Sequence, residues 1–172
     1  MRLRESLAIL PILLALGGCA ETRVNSIPRA GFNQHLDRIY VYLSPGPEEG
    51  LSFSDDLKEE LAKQFEQRHL TYKIRVKNIL AVDESEKIQS DLEVFKPAYV
   101  FDIAQDSATS VNGGTTGAGF SLTITASGER VPVWKAAVQC SGASNIGSPR
   151  LTVEKIFSAL MGDGLLEGTS RP

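Results

Sequence analysis

Residues 37–77 read DRIYVYLSPGPEEGLSFSDDLKEELAKQFEQRHLTYKIRVK, and the residue pattern changes character twice within them. Arg38 to Leu43 is rich in aromatic and branched residues and stops at Ser44-Pro45-Gly46-Pro47, which predicts a strand followed by a turn. Phe53, Leu57, Leu61 and Phe65 then recur every four residues, the spacing of one helical face. From Thr71 the period falls to two: Tyr72, Ile74 and Val76 alternate with Lys73, Arg75 and Lys77, as in a half-buried strand. Strand, helix and strand in this order predict parallel neighbours joined by a right-handed crossover.

The same reading extends toward the C-terminus. In VDESEKIQSDLEVFKP, Ile88, Leu92 and Phe95 share a helical face, Asp83 can cap, and Pro97 stops the run. AYVFDIA (98–104) is another strand, NGGTTGAG (112–119) a turn, FSLTITA (120–126) an alternating strand, and Ser127-Gly128-Glu129 a second turn. VPVWKAAVQCSG is a further strand, with Trp134, Ala136, Val138 and Cys140 on its core side. LTVEKIFSALMGDGLL places Val153, Ile156, Phe157, Leu160 and Met161 on a closing helix that ends at Gly162. The predicted order is β-α-β-α-β-β-β-α. It implies an α/β (α+β) domain with one mixed five-stranded sheet, parallel at the helix-linked strands and an antiparallel meander at the rest.

At the other end, Arg2 and Arg4 precede a run of about ten apolar residues, Leu7–Leu16, too short for the roughly twenty a membrane-spanning helix needs. It suits the h-region of a signal peptide. Leu16-Gly17-Gly18-Cys19 follows, and this resembles the lipobox of bacterial lipoproteins. The resemblance implies cleavage before Cys19, with Leu16, Gly17 and Gly18 as the peptidase recognition residues, and diacylglycerol on the Cys19 thiol. Two acyl chains hold a protein on a bilayer stably where one does not. Residue 20 is alanine and not aspartate, which by the same resemblance favours the outer membrane, facing the periplasm, over the inner. Residues 19–36, AETRVNSIPRAGFNQHL after the cysteine, show no sustained period and contain Pro28 and Gly31. They read as a flexible tether of about 20–25 Å. The expected layout is therefore signal peptide 1–18, anchor and tether 19–36, one domain 37–166 and a disordered tail 167–172.

Removing 18 of the 172 residues leaves 154, enough for one domain with its own core. The mature chain carries 16 Lys plus Arg against 20 Asp plus Glu, so a nucleic-acid partner is not expected. With Cys19 lipidated, no pair of thiols remains for an intramolecular disulfide, and the exported domain must rest on its core.

A second resemblance is one of pattern. The strand–helix–strand opening, the turn before the aromatic strand in SGERVPVWKA, and the closing helix in IFSALMGDGLL are similar to the amino-terminal domain of TolB and to CsgG-like periplasmic lipoproteins. It implies roles in envelope assembly or transport support, and no catalytic residue carries over.

Chemistry-bearing clusters are scarce. His35 and His69 lie in different elements without metal-ligand spacing, so no metal site and no cofactor are assigned. NGGTTGAGF lacks the lysine of a phosphate-binding loop. No catalytic constellation emerges, and an enzyme is not expected. Lys73, Arg75 and Lys77 form a cationic row, which suits either contact with anions or protection of a strand edge. From Ser107 to Gly128 no residue is charged. Either a helix covers the second face of this hairpin, or Ser121, Thr123 and Thr125 meet another chain. The functional expectation is a lipid-anchored periplasmic binding and assembly module at the outer membrane. It recruits envelope proteins, and a homo-oligomer is compatible with it. The alternative is an auxiliary lipoprotein of an envelope transport system that binds lipid or a small ligand.

Overall fold

The computed structural model describes residues 21–46, 51–78, 80–111, 114–141 and 148–167. The expected signal peptide with Leu16–Gly18, the expected lipidation site Cys19, and residues 168–172 lie outside these. The elements are β1 (Glu21–Pro28), β2 (Arg38–Ser44), α1 (Leu51–Gln67), β3 (Thr71–Val76), α2 (Glu84–Phe95), β4 (Tyr99–Val111), β5 (Gly114–Ala126), β6 (Trp134–Ser141) and α3 (Pro149–Gly162). They form an α+β domain around one mixed sheet of order β1-β6-β5-β4-β2-β3. No described helix is long and apolar enough to cross a membrane.

The helix-linked strands are parallel, β2 lying between β3 and β4, and β4, β5 and β6 form the antiparallel meander. The strand count and element order need correction: the sheet has six strands, because Glu21–Pro28 pairs antiparallel with all of β6. The expected tether is therefore not a free coil over these residues. The hairpin also needs correction. The turn expected at 112–119 is mostly strand, since β4 runs to Val111 and β5 starts at Gly114. Gly119 lies within β5 and not in a turn. A β-carbon there would collide with Ser107 Oγ and lie 2.7 Å from Asp106 Oδ1 and 2.9 Å from Gln139 Nε2, beside the irregularity between Gln105 and Ser107.

One sheet face is closed by α1 and α3. Leu57, Leu61 and Phe65, three of the four residues of the expected stripe, are buried there. Phe65 meets Phe157 of α3 at 5.2 Å between ring centroids, and Phe53 stacks on Phe120 at 6.0 Å. Ile39, Val41, Leu43, Phe101, Ile103, Leu122, Ile124, Trp134 and Val138 supply the sheet side of this core. Trp134 is wholly buried, and its indole N–H donates to Asp163 Oδ2 (2.7 Å) just past α3. Ser26 of β1 donates to the same oxygen (2.6 Å). One carboxylate thus satisfies a buried donor, as a buried indole demands, and ties the added strand to the closing helix. Ser148 caps α3 by accepting from the Leu151 N–H (3.3 Å), with Pro149 opening the first turn.

Candidate functional site

The opposite sheet face is covered only at one side. Across β2 and β3 it carries Tyr40, Tyr42, Lys73 and Arg75, the residues between the core-facing positions. Helix α2 is fastened here. Asp91 accepts from Lys73 Nζ (2.6 Å), Arg75 Nε (2.6 Å) and Tyr40 Oη (3.2 Å). Hydrogen bonds from Arg75 and then Lys73 hold the Asp91 carboxyl down at about 2. Tyr40 is pushed up to about 12, first by burial and then by the Asp91 charge. The row Lys73, Arg75 and Lys77 is therefore not a ready anion site. Asp91 is already the anion for two of its members, and Lys77 alone of the three is exposed.

Beyond β2 the face opens. Registered pairs across an antiparallel ladder point to the same side. Asp102 thus shares this face with Thr123 and Lys135, Val100 with Thr125, and Ala104 with Ser121 and Ala137. Ser121, Lys135, Ala137, Gln139 and Ser141 are exposed, while Thr123 and Thr125 are half-buried. Ser121 donates to Asp106 Oδ2 (2.6 Å). A groove of ≈ 490 Å³ separates α2 from β5, lined by Leu92, Lys96, Val100 and Thr125 among others. No described helix reaches Ser121, so a covering helix does not explain the missing charge there.

Asp102 sits in the middle of this face. Burial pushes its carboxyl up, opposed by the Lys77 charge, and its buried Oδ1 accepts no hydrogen bond from the described residues. Asp102 went unremarked in the sequence because a lone acid in a strand carries no pattern; its register opposite Thr123 is what gives it meaning. The face offers donors, acceptors and small side chains, with no arranged nucleophile, base and oxyanion donors.

The far end of the β4–β5 hairpin holds a second recess of ≈ 440 Å³, lined by Glu21, Arg23, Thr109, Thr116, Gly117, Ala118, Gln139, Cys140 and Ser141. Glu21 and Arg23 pair with each other at 2.7 Å. Cys140 lies on the core side as the alternation predicts, 3 % exposed, with Sγ 3.2 Å from Thr152 Oγ1.

No family model and no curated protein matches this chain. Solved structures do match. One is the PelC dodecamer from Paraburkholderia phytofirmans in space group P6, 16% identical with TM-score 0.51, covering 87% of this chain and 100% of that one. Another is a point variant of the same PelC dodecamer in space group C2, 16% identical with TM-score 0.50, covering 86% and 100%. At this identity the likeness is one of fold.

Proposed function

We propose that this chain is a lipid-anchored periplasmic module at the bacterial outer membrane, held by diacylglycerol on Cys19, that associates with copies of itself through the open half of its sheet and recruits envelope protein partners. The observation that carries the reading is the uncovered sheet face around Ser121, Thr123 and Thr125, where β5 has no charge, with a buried acceptor, Asp102 Oδ1, that no described residue satisfies. The hydrogen-bonding stretch of small side chains that β5 contributes suits protein contact, because charge is depleted where an interface excludes water. That the same fold occurs as a dodecamer in PelC favours self-association over a lone protomer.

Thr123→Lys tests it. On an open face the new ammonium stands opposite Asp102, so the thermal midpoint should stay within about 2 °C of wild type, the order of a surface substitution. Association measured by analytical ultracentrifugation should be lost. A stable variant that associates as wild type refutes the contact surface.

A further inference from the structure

The end of the sheet that bears the lipid follows from where β1 begins. Cys19 stands two residues before Glu21, a reach of at most about 7 Å. Glu21 pairs with Ser141, Ser141 also pairs with Gly117, and Gly117 pairs with Thr109. These four residues stand at one level across β1, β6, β5 and β4. That level is an outlying one. Strand β2 stops at Ser44, opposite Ala104, five residues short of Thr109, or about 15 Å at the rise of a strand. Past Thr109 the hairpin adds two more pairs, to Val111 and Gly114, about 7 Å further. The chain that leads from Glu21 back to Cys19 thus starts at the distal end of the hairpin.

The charges agree with this placement. The strand residues at and beyond this level, 109–111, 114–117 and 139–141, are uncharged. Of the charges near this level, Glu21 pairs with Arg23 and Arg150 with Glu154, and Asp106 accepts from Ser121. The opposite end of the sheet carries the Arg29–Glu129 pair together with Arg38, His69, Lys96 and Arg130. Bringing charge against a bilayer costs desolvation, whereas a tip of Ser, Thr, Gly and Asn does not incur it.

We infer that the distal end of the β4–β5 hairpin rests on the phospholipid surface that holds the Cys19 lipid, so that the strands stand upright on the bilayer and the charged end points into the periplasm. The tip has too little apolar area to bind lipid by itself. It orients a domain that the acyl chains retain. This rests on the anchoring proposed above.

The test uses the full acylated chain in phosphatidylethanolamine–phosphatidylglycerol vesicles containing a nitroxide-headgroup lipid. A bimane is placed at Thr109→Cys or at Val131→Cys, both exposed positions near opposite ends of the sheet, with wild type carried through labelling as the blank. Quenching at 109 should exceed that at 131 at least fivefold. Equal quenching, or more at 131, in protein whose mass shows acylated Cys19 overturns the orientation and leaves the anchor standing. Protein lacking acyl mass refutes the anchor, and the orientation with it. A label at 109 unquenched in vesicles yet shielded from reagent in intact cells assigns this end to a protein partner and also overturns docking on lipid.

Discussion

Replacing Asp91 by asparagine should loosen α2 from the sheet by an amount that depends on pH. Asp91 is the acceptor that Lys73, Arg75 and Tyr40 share, with 15% of its side chain exposed. Its carboxyl is held at about 2 against an ordinary 3.8. Since each tenfold change in proton affinity is about 1.4 kcal/mol, the displacement stabilises the fold by about 2 kcal/mol at neutral pH. Asp91→Asn keeps the shape and some hydrogen bonding but leaves two cations side by side. The expected loss at pH 7 is therefore about 2 kcal/mol, or about 4–8 °C in thermal midpoint for a domain of this size. A carboxylate whose folded value is depressed contributes stability above its unfolded value and loses it as pH falls through its folded value. The difference between wild type and variant should thus be full above pH 4, fall to about 1.3 kcal/mol at pH 3, and to about 0.4 kcal/mol at pH 2. Denaturant titrations of both proteins, followed by circular dichroism across this range, read the gap directly. A gap that stays constant down to pH 2 would mean Asp91 acts by packing alone. No gap at pH 7 would mean the ion pairs contribute nothing net, as many exposed pairs do.

Two further outcomes follow from the burial pattern. Cys140 should alkylate slowly in the native domain and rapidly in denaturant, because its thiol is 3 % exposed beside Thr152; rapid native labelling, read by mass, refutes the placement. Asp102→Asn should leave the isolated domain as stable or more stable at pH 7, since a carboxyl pushed up by burial favours folding only when protonated and weakens it as pH rises, yet it should weaken association; a destabilised variant with unaltered association refutes the role given to Oδ1.

The elements with strong local period were legible. Phe53, Leu57, Leu61 and Phe65 announced α1, and Phe120, Leu122 and Ile124 announced the inner face of β5, because one side of each element alone meets the core. What escaped was set by distant pairing. In β1 the core-side residues are Thr22, Val24 and Ser26, and its largest apolar residue, Ile27, is 75% exposed. Its strand conformation comes from β6 and from the Asp163 bond to Ser26, more than a hundred residues away, so no window of sequence contains the cause. The glycines at 117 and 119 misled for the same reason. They look like turn residues, yet they lie within β5, beside Thr109 and Cys140 at 117 and beside Ser107 and Gln139 at 119. Lys73 and Arg75 looked like an anion site because the carboxylate that occupies them sits in another element.

The missed strand changes the functional argument more than it changes the fold. A flexible tether of 17 residues would let the domain tumble about 20–25 Å from the lipid, with no face preferred. On the proposed anchoring, a strand that begins two residues after Cys19 restricts that freedom. With the strand axis pointing at the bilayer, the open sheet face of Ser121, Thr123, Asp102 and Gln139 lies along the membrane normal. Contacts through such a face run sideways, between molecules held on the same membrane. Confinement to that plane raises the effective concentration of one copy for another without any new contact. A face that holds two copies together only weakly in dilute solution then holds them more firmly at the membrane. On this reasoning, association of the acylated protein in vesicles should be stronger than that of a Cys19→Ala chain freed of its signal peptide, and Thr123→Lys should abolish both. Equal association of the two forms would show that the face needs no help from the anchor.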